Sequence, residues 1–257
     1  MKKIFRIVLN VIPRPWLIRL SYLAKPFLSQ FYRGSRFTDP IDGKSYRSFL
    51  PYGYQKTREN VLAPGTLSLE RHRLLWLYLQ NETNFFEAPK KVLHFAPEQA
   101  FYKRFKKQKN LDYITTDLFS PLADVKADIC DLPFNENTFD MILCNHVLEH
   151  IPDDRKALQE LFRVLKPGGI GIFQVPQELE RDHTFQDDTI TDPAERAKIF
   201  GQYDHVRVYG KDYFDILRNI GFTVNEVDYT AGMSPKEVDR YRLAQGEILP
   251  VCVKPRK

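Results

Sequence analysis

Residues 139–150 read Phe-Asp-Met-Ile-Leu-Cys-Asn-His-Val-Leu-Glu-His, and residues 161–169 read Leu-Phe-Arg-Val-Leu-Lys-Pro-Gly-Gly. Phe139 to Cys144 is a short apolar run, which reads as a strand. Asp153 to Leu165 carries apolar residues at helical spacing, and the Lys-Pro-Gly-Gly behind it is a helix stop. Gly169 to Val175 supplies the next strand. Strand, helix and strand in that order make a parallel βαβ unit, and this reading decides the fold.

The pattern extends in both directions. Upstream, Val92-Leu93-His94-Phe95 is a strand, Gln99 to Lys107 a helix, Asp112 to Thr116 a second strand and Val125 to Ile129 a third. Only the residues Asp117 to Asp124 join the last two strands, which is short for a parallel crossover, so the helix there must be vestigial. Downstream, Lys211 to Ile220 is a helix ended by Gly221, and Phe222 to Tyr229 and Glu247 to Val253 are the last two strands. A polar helix, Pro235 to Ala244, interrupts that closing hairpin. The predicted fold is α/β: a seven-stranded, mostly parallel sheet with helices on both faces and an antiparallel last strand, preceded by an N-terminal helical arm.

With 257 residues, 43% of them hydrophobic, the chain can bury one substantial core plus an accessory segment. Its charge is unevenly spread. Residues 1–36 carry Lys2, Lys3, Arg6, Arg14, Arg19, Lys25, Arg33 and Arg36 and no acid, so the remainder of this +5 chain is mildly acidic. Nucleic acid is therefore not the expected partner. Ile4, Ile7, Val8, Val11 and Ile12, and after the Pro13-Arg14-Pro15 break Trp16, Leu17, Leu20, Leu23, Phe27, Leu28 and Phe31, predict two short amphipathic helices. They are too interrupted to span a bilayer, and a basic face opposite an aromatic one suits an anionic membrane surface; docking on the protein's own body is the alternative. The expected location is cytoplasmic, with peripheral contact at the inner membrane face. Cys130, Cys144 and Cys252 are far apart and form no CxxC pair, which fits a reducing compartment and predicts neither disulfides nor a metal site.

Residues 37–89 read as a connector followed by an accessory helix that Ser68 can cap. Residues 90–257 form the main domain. Residues 176–209 are a long polar insertion at the edge where doubly wound sheets bind ligands, and read as a lid or acceptor-recognition segment.

The ordered set Leu132-Pro133-Phe134, Phe139-Asp140, Leu148-Glu149-His150 and Arg163 to Gly169 resembles the class I, Rossmann-like methyltransferases that use S-adenosylmethionine, in particular a type 11 group of bacterial domains of unassigned substrate. The resemblance covers roughly residues 90–225. It implies an enzyme moving a methyl group from S-adenosylmethionine to a small-molecule or lipid-linked acceptor. Two rivals remain: a catalytically silent binder of the same cofactor, and a nucleotide-dependent oxidoreductase. The latter calls for GxGxxG after the first strand, where residues 92–100 contain no glycine.

The resemblance also implies roles for particular residues. Asp117, with Leu118 beside it, ends the second strand where a carboxylate can accept both ribose hydroxyls; the alternatives are that Asp117 forms the turn there and that Asp128 caps the next loop. Asp128 matches the position that meets the adenine amino group, with Ile129 against the ring, while Asn145 and His146 match the position beside the sulfonium. The first motif departs from the family: Phe95-Ala96-Pro97-Glu98 stands where a glycine-rich turn follows an acidic residue. His94 occupies the acidic position, so Glu98 is the candidate to hold the methionine ammonium. His146, His150 and His205 are candidate bases. Arg71 and Arg73 are candidates to hold the cofactor carboxylate or an anionic acceptor, or else form the solvated face of the helix.

Overall fold

The computed structural model describes residues 14–53 and 57–256. The first expected arm helix, Ile4 to Ile12, lies outside the described residues. From there the chain runs through α1 (Arg14–Phe31), β1 (Arg33–Asp39), β2 (Lys44–Tyr46), β3 (Leu50–Tyr52), β4 (Arg58–Leu62) and α2 (Glu70–Asn81). It continues with β5 (Lys90–Phe95), the single-turn α3 (Tyr102–Phe105), β6 (Leu111–Thr116), β7 (Phe139–Cys144), α4 (Asp154–Val164) and β8 (Leu165–Ile172). Last come β9 (Phe185–Gln186), α5 (Pro193–Ile199), β10 (Arg207–Val208), α6 (Tyr213–Ile220), β11 (Thr223–Asp228), α7 (Pro235–Tyr241) and β12 (Ile248–Val253). These elements group into two compact units, residues 1–77 with 233–244, and residues 78–232 with 245–257.

The larger unit is built on one sheet of order β11-β12-β8-β7-β5-β6. β6, β5, β7 and β8 run parallel, and β12 lies antiparallel between β8 and β11. The sheet has six strands where seven are expected from the sequence. Val125 to Ile129 falls short of a strand: Val125 forms a single bridge to Thr116, and Asp128 turns back to bridge Asp131. The edge of β6 is capped instead by the Asp124 carboxylate, which accepts from both the amide (2.9 Å) and the hydroxyl (2.8 Å) of Thr115.

The core follows from periodicity. Ala157, Leu158, Leu161 and Val164 of α4 and Tyr213, Phe214, Ile216 and Leu217 of α6 are buried in one cluster with Leu93, Phe139 and Ile142 of the sheet. Each buried leucine contributes roughly 1.5–3 kcal/mol. Asp153 caps α4 by accepting from the Lys156 amide at 2.9 Å. Gly221 ends α6 at φ +118°, a conformation a side chain would oppose. Register then levels the carboxyl ends of three strands, since Phe95 lies opposite Thr116 on one side and Cys144 on the other.

The smaller unit holds two antiparallel ribbons, β1–β2 and β3–β4, around Phe37, Tyr46, Phe49 and Ala63. Two expectations fail here. Ser68 does not cap α2: its hydroxyl donates to Asp39, and His72 Nδ1 accepts from the Leu69 amide at 3.0 Å. Arg73 is neither solvated nor available to a carboxylate, because it is fully buried and donates to the carbonyls of Val61, Ser68, Tyr241 and Arg242. On α1, Trp16, Leu20, Leu23, Phe27 and Phe31 are exposed at helical spacing. No helix among the described residues is long and apolar enough to cross a membrane.

Candidate active site

Two strands leave the sheet through left-handed backbone. Ala96, just past β5, has φ +45°, and His146, just past β7, has φ +54°. Such conformations cost non-glycine residues roughly 1–2 kcal/mol each and persist only where the surroundings impose them. Here neighbouring segments do so: the Ala96 amide donates to Thr116 O at the end of β6 at 2.9 Å, and the His146 amide to Gln174 O just beyond β8 at 2.7 Å. Ala96 thus adopts the backbone that a glycine would take without strain, with Pro97 buried behind it.

The turn after β5 carries a chain of polar contacts. Burial, then the charge of Glu98, hold the Tyr113 phenol well above its ordinary pKa, so it remains an O–H donor to His94 Nδ1 at 2.7 Å. That assigns the ring proton to Nε2, which donates to Glu98 Oε2 at 2.6 Å. Asn145 Nδ2 donates to Glu98 Oε1 at 3.2 Å. A carboxylate is therefore fixed at the head of β5, in front of the buried His94. Assigning Nδ2 to Glu98 leaves Asn145 Oδ1 buried without a donor, and Thr116 Oγ1 at the end of β6 is likewise buried and unpartnered.

Asp117 follows Thr116. Its Oδ1 accepts from the amides of Phe119 (2.7 Å) and Ser120 (2.6 Å), so one oxygen organises the loop and Oδ2 remains. Leu118 is exposed beside it. Asp128 is exposed and accepts from the Cys130 amide at 2.8 Å, while Ile129 is buried in the main core cluster. Phe95, also in that cluster, backs the turn. The structure therefore brings Glu98, Asn145, Thr116 and Asp117 to adjacent strand ends.

The three histidines divide into two settings. His146 is partly exposed, with Nδ1 at 3.3 Å from Glu149 Oε1. Glu149 is buried; burial raises its pKa, but the His146 hydrogen bond and the charges of His146 and His150 outweigh that and leave it below its ordinary value. His150 and His205 pack edge to face with centroids 4.7 Å apart. Burial, foremost, lowers the His205 pKa. The insertion that carries His205 is pinned to the post-β7 turn: the Val206 amide donates to Glu149 O at 2.9 Å, Arg207 to the carbonyls of Leu148, Ile151 and Pro152, and Tyr209 to Asp154 at 2.7 Å.

Tyr113 and Thr116 do not stand out in the sequence, and Glu149 shows there only as a member of Leu148-Glu149-His150. The signal for the first was His94 itself, a polar residue in a buried parallel strand that requires a partner on the neighbouring strand.

Residues 81–173, which carry most of these groups, match the family of the methyltransferase domain. This stretch, about a third of the chain, is similar to methyltransferase domains. Over 112 residues the chain is 34% identical to the 2-phytyl-1,4-naphtoquinone methyltransferase of a Nostoc species, covering 38% of this chain and 48% of that one. Over 57 residues it is 48% identical to the demethylmenaquinone methyltransferase of Staphylococcus carnosus, covering 22% and 24%. The chain spans about half the length of the 2-phytyl-1,4-naphtoquinone methyltransferases it matches. Among solved structures, phosphoethanolamine N-methyltransferase 2 of Haemonchus contortus, in complex with S-adenosyl-L-methionine, is 15% identical with a TM-score of 0.44, covering 72% of this chain and 53% of that one. Lys166 to Gly169, expected from the sequence to be a helix stop ahead of the next strand, lies inside β8.

Proposed function

We propose that the chain binds S-adenosylmethionine at the carboxyl ends of β5, β6 and β7 and methylates a small, lipid-soluble acceptor. The observation that carries this is the fixed Glu98 carboxylate together with two buried oxygens that have no partner, Asn145 Oδ1 on the side chain that holds Glu98 and Thr116 Oγ1 at the end of β6. Orphaned buried acceptors are costly, and a ligand bringing an ammonium and hydroxyls satisfies them. S-adenosylmethionine brings those donors, and it supplies an electrophilic methyl group on a sulfonium.

The residues take these roles in the proposal. Glu98, held by His94 and Asn145, takes the ammonium. Asp117 takes ribose hydroxyls through Oδ2, and Phe95, Ala96 and Pro97 form the floor of the turn, with Leu118 at its rim. Asp128 and Ile129 flank the adenine end, although Ile129 is also a core residue. His146, whose Nδ1 is held by Glu149, faces the acceptor. The insertion 176–209 closes over the acceptor and excludes water from the in-line displacement.

The acceptor class is supported by the quinone substrates in the names of the relatives and by the exposed apolar stripe of α1. With the cations of residues 1–36, that stripe would bring the enzyme to an anionic membrane surface where such an acceptor dissolves. The test is incubation of the full chain with methyl-labelled S-adenosylmethionine and a total lipid extract, followed by mass spectrometry. Label in one lipid-soluble product supports the proposal; label only in water-soluble products, or none above a no-enzyme control, contradicts the acceptor class.

A further inference from the structure

Glu149 presents a chemical problem that methyl transfer does not solve. Its carboxylate is buried, Oε1 faces His146 Nδ1 at 3.3 Å, and Oε2 is buried with no hydrogen-bond partner. A buried anionic oxygen without a donor is tolerated where a cation completes it. Besides His146, two further imidazoles, those of His150 and His205, stand next to it. His205 Nδ1 lies 3.1 Å from the Phe200 carbonyl, and His150 Nδ1 lies 3.3 Å from the Asp204 carbonyl and 3.4 Å from Asp204 Oδ2. A ring nitrogen facing a carbonyl must carry the hydrogen, which leaves the Nε2 lone pair of each ring unassigned. Metal-binding histidines are characteristically oriented this way, with the other nitrogen donating to a carbonyl or carboxylate.

We propose that Glu149, His150 and His205 bind one divalent transition-metal ion of the zinc or iron(II) type. One donor atom from each residue lies within 4.8 Å of those from the other two. Tetrahedral ligand atoms with metal bonds of about 2.0–2.1 Å stand about 3.4 Å apart, so modest side-chain rotations close the set. Two nitrogens and one carboxylate oxygen, without thiolate, suit zinc or iron(II) better than calcium, magnesium or copper(I). The backbone already holds the parts together, since Val206 and Arg207 are tied to residues 148–152. Three protein ligands leave an open position, the arrangement of a site that meets an exogenous oxygen ligand. The site is independent of whether the domain transfers methyl groups. It was hidden in sequence because Glu149 and His150 are adjacent and His205 comes from the far end of the insertion.

The test uses the full chain, stripped with a chelator and titrated with zinc chloride, and separately with cobalt(II), whose visible absorption reports low coordination number. The expected result is one equivalent of zinc bound, cobalt bands in the visible, and at least tenfold weaker zinc binding in His205→Ala and in Glu149→Gln. His183→Ala, which alters a histidine whose side chain is 89% exposed, should bind zinc as the parent does. Thermal unfolding in chelator checks that each variant is folded, and the parent titration decides the matter without them. Absence of stoichiometric binding by the parent chain would overturn the proposal, as would unchanged affinity in folded His205→Ala and Glu149→Gln.

Discussion

Glu98→Gln tests the head of β5. The substitution keeps size and removes charge from a side chain fixed by His94 Nε2 at 2.6 Å and Asn145 Nδ2 at 3.2 Å. Both neighbours are donors, so the glutamine oxygen can satisfy only one, and its amide nitrogen must face the other as a second donor. If the amide meets Asn145, relief comes from flipping Asn145, which puts its nitrogen where Oδ1 now stands. Charge loss and flip act in the same direction on a ligand ammonium. Hydrogen bonds to charged groups contribute about 1.5–3 kcal/mol, which predicts roughly 10- to 100-fold weaker S-adenosylmethionine binding. Calorimetric titration reads this directly. Methylthioadenosine, which lacks the amino-acid portion, is the control and should bind Glu98→Gln within about twofold of the parent. Equal losses for both ligands, or none for either, would refute the assignment and leave Glu98 as a partner for His94 alone.

Asp117→Ala should instead weaken S-adenosylmethionine and methylthioadenosine alike, by roughly 10- to 100-fold, because the ribose is common to both; loss confined to one ligand in the same titration contradicts a ribose contact. Asp124 has its pKa raised by burial but lowered further by the Lys106 hydrogen bond and the Thr115 contacts, so it ends below the ordinary 3.8. A depressed carboxylate pKa contributes stability that is fully present above the unfolded value and lost as pH falls through the folded one. Chemical denaturation from pH 5 downward should therefore show a loss of stability below about pH 4 that is smaller in Asp124→Asn; superimposable curves would remove Asp124 from this role. Leu23→Glu combined with Phe27→Glu, both on exposed positions of α1, should abolish salt-sensitive flotation with anionic vesicles while leaving the thermal midpoint unchanged. Undiminished flotation would exclude this face from the membrane.

What could be read from sequence was what local pattern controls. β7 is found at the residues where the apolar run places it, α4 begins after the predicted Asp153, and α6 stops at Gly221, because strand burial, capping and the left-handed stop are each determined within a few residues. The missing seventh strand shows the limit. Val125 to Ile129 has strand-like composition, but Asp124 takes up the backbone and hydroxyl of Thr115, and the ladder ends after one bridge. The smaller unit was illegible for a related reason. Arg73 looks like a helix-surface cation, and only the return of residues 241 and 242 with their carbonyls makes it a buried structural residue. In the candidate site, Glu98 is proposed from sequence as the carboxylate nearest the expected acidic position. Its holders, His94 with Tyr113 behind it, depend on the register of β5 against β6, and the pairing of His150 with His205 depends on the path of a long insertion.

The most direct measurement is calorimetric titration of the full chain with S-adenosylmethionine and, in parallel, with NAD. Binding at the carboxyl ends of β5, β6 and β7 predicts one S-adenosylmethionine per chain, competed by methylthioadenosine, and no heat with NAD. Absence of S-adenosylmethionine binding to folded protein, or saturable binding of NAD competed by neither ligand, would contradict it.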